Sequence, residues 1–143
     1  MTKKRPWNAD WEKVHDLDGG GQGIVSVVRA RGDLEGAHYV LKRLRRQDDP
    51  ERRKRMYREV AALRTFDNLG IPKIITSNVD QFENPHVPLF LVQEYIQGHR
   101  LSDEVDKQLL PLSDALAMIR SLLQIVRYSH ERGVVHRDIK PDN

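Results

Sequence analysis

Apolar and β-branched residues gather in five short segments of the chain, and this pattern predicts strands rather than helices. The first segment has apolar residues at positions 11, 14 and 17, and the glycine-rich residues after it favour a strand. Side chains alternate across a strand, so Val40, Lys42 and Leu44 share one face of the third segment. Lys42 is therefore a single cation on an apolar face. The predicted strands are residues 11–17, 24–28, 38–44, 74–82 and 89–95.

A different spacing of apolar residues predicts a helix after the third strand. Asp49 has the chemistry of an N-cap, and Pro50 suits the first helical position. Glu59 lies beside the buried stripe of this helix, and a carboxylate at the edge of a buried face needs a partner. The stripe consists of Met56, Val60 and Leu63.

The last predicted helix is apolar on several sides. It is predicted to begin with Ser113 as its N-cap, to run to about Arg132 and to stop at Gly133. A short helix that starts near Ser102 is predicted before it. The apolar residues of the last helix cover more of the helix circumference than one neighbour can bury, which favours a fragment of a larger helical region. The residues expected to be unusually exposed are Leu122, Leu123, Ile125 and Val126.

Composition limits the classes of protein that remain. A chain of 143 residues suits one ordinary domain, and its net charge of +3 permits an anionic ligand such as a nucleotide. The absence of cysteine excludes disulfides and thiolate metal sites and favours a cytoplasmic location. No apolar run approaches the roughly 18 residues that a membrane span needs. We interpret residues 1–10 as a basic tail and expect no membrane segment.

Arginine is frequent on the first helix and could indicate nucleic-acid binding. The simpler interpretation is a solvated helix face, so no nucleic-acid partner is expected. The arginines in question are Arg52, Arg53, Arg55 and Arg58.

A glycine-rich segment, residues 18–23, separates the first two predicted strands. A dinucleotide-binding fold would place such glycines between a strand and a helix, with an acidic residue about 20 positions later. Glycines between two strands instead suit a flap whose backbone N–H groups point at phosphates.

The final eight residues, 136–143, place an acid, two cations and an amide close together. Asp138 has the chemistry to accept a proton from a hydroxyl group, and Lys140 the charge to neutralise a transferring phosphoryl group. Asn143 offers a carbonyl oxygen to a hard cation. A charged surface loop after a helix is the alternative for a segment of this composition.

The spacing H-R-D-x-K-x-x-N and the order of the preceding features resemble the serine/threonine branch of the protein kinase family. The resemblance covers about residues 11–143. The glycine segment is similar to G-x-G-x-x-G-x-V, although Asp18 stands where the first glycine is expected, and Arg100 replaces an acid that often holds the ribose. Lys42 matches the strand lysine and Glu59 the helix glutamate of the family.

The resemblance implies an α+β, protein-kinase-like fold. It has an N-lobe of a five-stranded antiparallel sheet plus one helix (11–96), then a hinge and an incomplete, mostly helical C-lobe (97–143). It also implies ATP and Mg²⁺ as cofactors and a protein serine or threonine as substrate. Asp138, Lys140, Lys42 and Glu59 would be catalytic, and Asn143 would bind the metal. The implied nucleotide contacts are Leu17, Gly19, Gly20, Gly21, Gly23, Val25, Val40, Lys42, Gln93, Glu94 and Ile96.

Two other functions remain open from the sequence. One is a non-catalytic kinase-fold module that binds a nucleotide or a partner without turnover. The other is a small-molecule phosphotransferase of related fold, which Arg137 and Lys140 disfavour because they match the protein-directed pattern. The resemblance implies that the D-F-G aspartate, which is the family's main magnesium ligand, and the activation loop would lie after Asn143.

Overall fold

A computed structural model describes residues 6–17, 23–68 and 70–142. The described strands all lie in the first two thirds of the chain, and the elements after the fifth strand are helices. The elements are a 3-10 helix at Trp7–Ala9, β1 (Trp11–Leu17), β2 (Gly23–Ala30), β3 (His38–Leu44), α1 (Pro50–Leu63), β4 (Ile74–Ser77), a second 3-10 helix at Val79–Gln81, β5 (Phe90–Glu94), α2 (Leu101–Val105) and α3 (Leu112–His130).

The chain divides into two compact units. The strand unit comprises the described residues within Met1–Asp67 and Pro72–Tyr95, and the helical unit those within Asn68–Ile71 and Ile96–Asn143. The strand unit holds all five described strands and α1, whereas α2 and α3 belong to the helical unit.

The five strands form one antiparallel sheet, as the family resemblance implies, and their order in the sheet is β1-β2-β3-β5-β4. A bulge between Lys13 and His15 interrupts the pairing of β1 with β2. Beyond the bulge Asp16 lies opposite Ser26, whose hydroxyl donates to the carboxylate at 2.7 Å. This bond, with help from Lys13, lowers the pKa of Asp16 below its ordinary value. The strand ends beside the glycine segment are therefore tied together.

Each face of the sheet carries its own apolar core. One face is filled by Trp11, Val28, Leu41, Phe90 and Val92, with Trp7 packed against them. The opposite face meets α1 through a second cluster, which consists of Met56, Val60, Val79, Leu89 and Leu91. Because both faces are covered, the middle residues of the central strands, such as Val28, Leu41 and Val92, are fully buried.

Helix α1 begins as predicted. The Asp49 carboxylate accepts hydrogen bonds from the backbone N–H groups of Glu51 and Arg52, both at 3.1 Å, and Pro50 occupies the first turn. The bond from Arg52 is the main reason that the pKa of Asp49 lies below its ordinary value. A local signal in the sequence thus fixes the start of this helix.

The predicted fourth strand is too long. It ends at Ser77 instead of continuing to residue 82, and at the next residue, Asn78, the side chain takes over part of the pairing with the segment before β5. Its carboxamide accepts from the Phe90 N–H at 2.8 Å and donates to the Pro88 carbonyl at 2.9 Å. The chain then turns into the 3-10 helix at Val79–Gln81.

The prediction that Ser113 caps α3 is wrong. Pro111 precedes the first turn, and the Ser113 hydroxyl bonds to Asp114. The end of the helix follows expectation, since Gly133 has a φ of 73° and donates to His130 while Val134 donates to Ser129. This pair of bonds is the Schellman arrangement that glycine favours.

Helix α3 contains no buried residue. Leu122 and Leu123 are exposed as predicted, whereas Ile125 and Val126 are half-buried. The Ile125 side chain lies so close to Gly70 that a Cβ at that position would clash with it. Within the described ranges, no helix is long and apolar enough to cross a membrane.

Candidate active site

Lys42 lies on the face of the sheet that packs against α1. In the strand register it stands between Val25 of β2 and Leu91 of β5, and Val25 in turn lies opposite Leu17 of β1. Val40 shares this face because it is two residues from Lys42 on the same strand. The cation is therefore set among apolar side chains, as the sequence predicts.

The ammonium group of Lys42 meets the carboxylate of Glu59 on α1. The Nζ–Oε1 distance is 3.0 Å, which confirms the predicted approach of the two residues to within about 4 Å, the usual ion-pair limit. Their side chains are 35% and 41% exposed, so both remain accessible from solvent. A partly exposed lysine braced by a carboxylate can still donate to an anionic ligand.

Gln93 of β5 carries a buried acceptor. It lies opposite Val40, and its side-chain oxygen has no hydrogen-bond partner in the described part of the chain. A buried acceptor without a partner is costly unless a donor reaches it. An amino group of a ligand would satisfy this oxygen.

Glu94, the last residue of β5, has already used its N–H group. That group donates to the Lys73 carbonyl at 2.9 Å, and the Glu94 carboxylate accepts from the Lys73 N–H at 3.0 Å. This N–H group is therefore not available to a ligand in the described structure. Ile96, which belongs to the helical unit, is exposed.

The helical unit brings Asp138 and Lys140 together. The Lys140 Nζ lies 3.2 Å from the Asp138 carboxylate, and both side chains are exposed. The Asp138 N–H donates to Nδ1 of His136 at 3.3 Å, so the imidazole of His136 bonds to the backbone of the loop. Between them Arg137 has a φ of 64°, in the left-handed region that side chains other than glycine seldom adopt.

The loop that carries Asp138 is tied to α2. The Pro141 carbonyl accepts a hydrogen bond from the Ser102 N–H at 3.1 Å. Because this N–H lies in the first turn of α2, it has no partner within the helix. The contact therefore satisfies a helix end and holds the loop at the same time.

Several predicted site residues lie outside the described residues. These are Gly19, Gly20, Gly21 and Asn143. Gly23, the last glycine of the segment, begins β2, and a Cβ there would lie 3.0 Å from the Arg43 carbonyl. The described ranges contain no group of three or more His, Cys, Asp or Glu residues that could hold a metal ion.

One arginine of α1 is buried, although the sequence predicts that it belongs to a solvated face. Arg53, interpreted as part of a solvated face, is 1% exposed, and burial lowers the pKa of its guanidinium group. Arg53 lies three residues before Met56 and seven before Val60, the spacing of the buried stripe. That spacing is the signal that would have identified it.

The comparisons with known proteins agree with this geometry. The model of the protein kinase domain matches residues 11–143. A probable serine/threonine-protein kinase of Streptomyces coelicolor is 32% identical over 125 residues, which cover 85% of this chain and 18% of the relative. Serine/threonine-protein kinase PksC of the same organism is 30% identical over 138 residues, which cover 92% of this chain and 24% of the relative. The chain thus spans a quarter or less of these relatives.

Solved structures show the same fold. The kinase domain of Mycobacterium tuberculosis PknI superposes with a TM-score of 0.71 at 24% sequence identity, over 94% of this chain and 53% of that one. The family model and the relatives at 30% identity or more carry the assignment, and the superposition confirms the architecture. The chain belongs to the protein kinase family, and its relatives are serine/threonine kinases.

Proposed function

We propose that this chain is part of an ATP-dependent serine/threonine protein kinase, which transfers the γ-phosphoryl group of ATP to protein hydroxyls. The observation that carries the proposal is the Lys42–Glu59 ion pair at 3.0 Å. A carboxylate that orients a partly exposed lysine on an apolar face prepares that lysine for phosphate oxygens.

The residues around Lys42 fit a nucleotide. Apolar side chains suit the faces of a base, and the unpaired Gln93 oxygen suits an amino group such as that of adenine. The proposed base contacts are Gln93, the carbonyl oxygen of Glu94, and Ile96. The other proposed contacts are Leu17, Gly19, Gly20, Gly21, Gly23, Val25 and Val40, where glycine N–H groups would face the phosphates.

Asp138 is the proposed base. Its carboxylate orients the substrate hydroxyl and accepts its proton, while Lys140, 3.2 Å away, offsets negative charge on the transferring group. When bound, ATP supplies the phosphoryl group and Mg²⁺ neutralises phosphate charge. Asn143 is the proposed metal ligand in this chain.

The two parts of the chain divide these tasks. We assign nucleotide binding to residues 11–96, and the hinge and catalytic loop to residues 97–143, with residues 1–10 as a tail. The proposed partner is a protein that carries serine or threonine, because Lys140 matches the serine/threonine branch. The absence of cysteine supports a cytoplasmic location.

Asp138→Asn in the full-length protein tests the proposal. Phosphoryl transfer to a protein substrate should fall by about 10²- to 10⁴-fold because a general base is lost. MgATP affinity, measured by calorimetry, should stay within about threefold because the base acts on the hydroxyl. Asp106→Asn, the same change at an exposed residue of the helical unit, is the control and should transfer normally.

Unchanged transfer in Asp138→Asn would overturn the catalytic assignment. If MgATP still bound in that case, the non-catalytic binding module would become the better description. Loss of transfer in both Asp138→Asn and the control would attribute the effect to general damage of the helical unit.

A further inference from the structure

The side chain of Arg53 makes five hydrogen bonds to backbone carbonyls, and a kinase site alone does not require them. Nε donates to the Phe82 carbonyl at 2.7 Å. The two terminal nitrogens donate to four further carbonyls, those of Gln47 at 2.9 Å, Val87 at 3.0 Å, Gln81 at 2.9 Å, and Asn84. A guanidinium group has five N–H donors, so this arrangement can satisfy all of them.

The acceptors belong to two different connections. Gln47 precedes α1, and the other four carbonyls lie in residues 81–87, which connect β4 to β5. Arg53 is thus a bridge from the second turn of α1 to both connections. Since the guanidinium is planar and rigid, five bonds fix the rotation of the helix as well as its distance from the sheet.

The rotation of α1 decides where Glu59 lies. Arg53, Met56 and Val60 share the buried stripe, and Glu59 is the residue before Val60. A roll of the helix about its axis would move Glu59 away from Lys42 and pull Arg53 out of its carbonyls. Both contacts therefore form in the same orientation of α1.

The Lys42–Glu59 pair is too weak to hold the helix by itself. Both side chains are more than a third exposed, and ion pairs of that kind contribute little to stability. The buried Arg53 is different, because a guanidinium removed from its carbonyls inside the protein would have neither water nor an acceptor. The stronger restraint on α1 is at Arg53.

Resting on the proposed function, we infer that Arg53 is a positioning residue for phosphoryl transfer. It holds α1, through residues 81–87 and Gln47, in the orientation that keeps Glu59 at Lys42. Arg53 does not touch substrate or nucleotide; it acts through Glu59.

A double-mutant cycle in the full-length protein tests this inference. Arg53→Lys keeps the positive charge but loses the planar guanidinium group with its five N–H donors, so kcat should fall at least tenfold. In a Glu59→Gln background, the same substitution should lower kcat less than twofold further, because the residue it positions is already gone. Lys54→Met, an exposed cation at the next position, is the control and should stay within twofold of the wild type.

Two results would overturn the inference. One is a kcat within twofold of the wild type in Arg53→Lys. The other is an equal loss in the wild-type and Glu59→Gln backgrounds, which is what general destabilisation produces. Arg53→Met should lower kcat more than Arg53→Lys does. If Arg53→Met does not fold, the result for Arg53→Lys alone tests the inference.

The inference can fail separately from the proposed function. If the wild type transfers no phosphate, the same cycle is measured on MgATP affinity, to which Lys42 contributes directly and Glu59 contributes through Lys42. Arg53→Lys should then weaken affinity only where Glu59 is present. Equal weakening in both backgrounds would reject the positioning role, and transfer that survives Asp138→Asn would reject only the catalytic assignment.

Discussion

The strand unit and the helical unit differ in what covers their apolar side chains. In the strand unit, Leu41 and Leu91 point to opposite faces of the sheet and both are fully buried. In the helical unit, none of the described residues is buried, and Leu123 of α3 is 61% exposed. Both units have regular secondary structure, but burial of apolar side chains needs a second layer, which only the strand unit has among the described residues.

Hydrogen exchange gives the largest expected contrast between the two units. In the chain of residues 1–143, amides of β2, β3 and β5 should exchange at least about a hundredfold more slowly than those of α3, because opening α3 exposes little additional apolar surface. Exchange followed by mass spectrometry checks this. Equally strong protection across α3 in a proven monomer would remove the contrast.

Truncating one leucine in each unit tests the same difference through the free energy of unfolding. Leu91→Ala should lower the free energy of unfolding by about 2–5 kcal/mol because it leaves a cavity in a closed core. Leu123→Ala, the same chemical change on α3, should stay within about 0.5 kcal/mol. Urea denaturation of both variants measures the two values. A loss at Leu123 as large as that at Leu91 would mean that α3 is buried in solution.

The smallest expected effect concerns the acid stability of the strand unit. The pKa of Asp49 is lowered in the folded state, so its contribution is complete above the unfolded pKa of about 3.9 and is lost as the pH falls through the folded value. Asp49→Asn keeps a cap without the charge, so the unfolding midpoint should fall less between pH 6 and pH 3.

Asp48→Asn, one residue earlier and exposed, is the control for this titration. It should keep the pH dependence of the wild type. An Asp49→Asn variant with an unchanged acid limb would show that the cap does not depend on ionisation.

The sequence predicted features that depend on neighbouring residues. The Asp49 cap, the glycine end of α3 and the alternation that places Lys42 beside Val40 all arise within a few positions of the chain. The approach of Lys42 to Glu59 is longer in range, and it was predicted because a cation and a carboxylate at apolar surfaces each need a partner.

Features that depend on distant backbone could not be predicted in the same way. At the end of β4 the Asn78 side chain bonds to the backbone of residues 88 and 90, and no local sequence pattern predicts these bonds. Arg53 was assigned to solvent because several charged residues on one helix are most simply a solvated face. Its partners are backbone carbonyls, which every residue has and which leave no signature in the sequence.

The order of the strands in the sheet also determines how long one strand edge stays unpaired while the chain is synthesised. Strands β1, β2 and β3 are consecutive and can pair as soon as they emerge, but Leu41 of β3 pairs on its other side with Val92 of β5. Those 51 residues take about 3–10 s to translate at about 5–20 residues per second. During that interval the nascent chain presents an unpaired strand edge, the kind of surface at which chains aggregate.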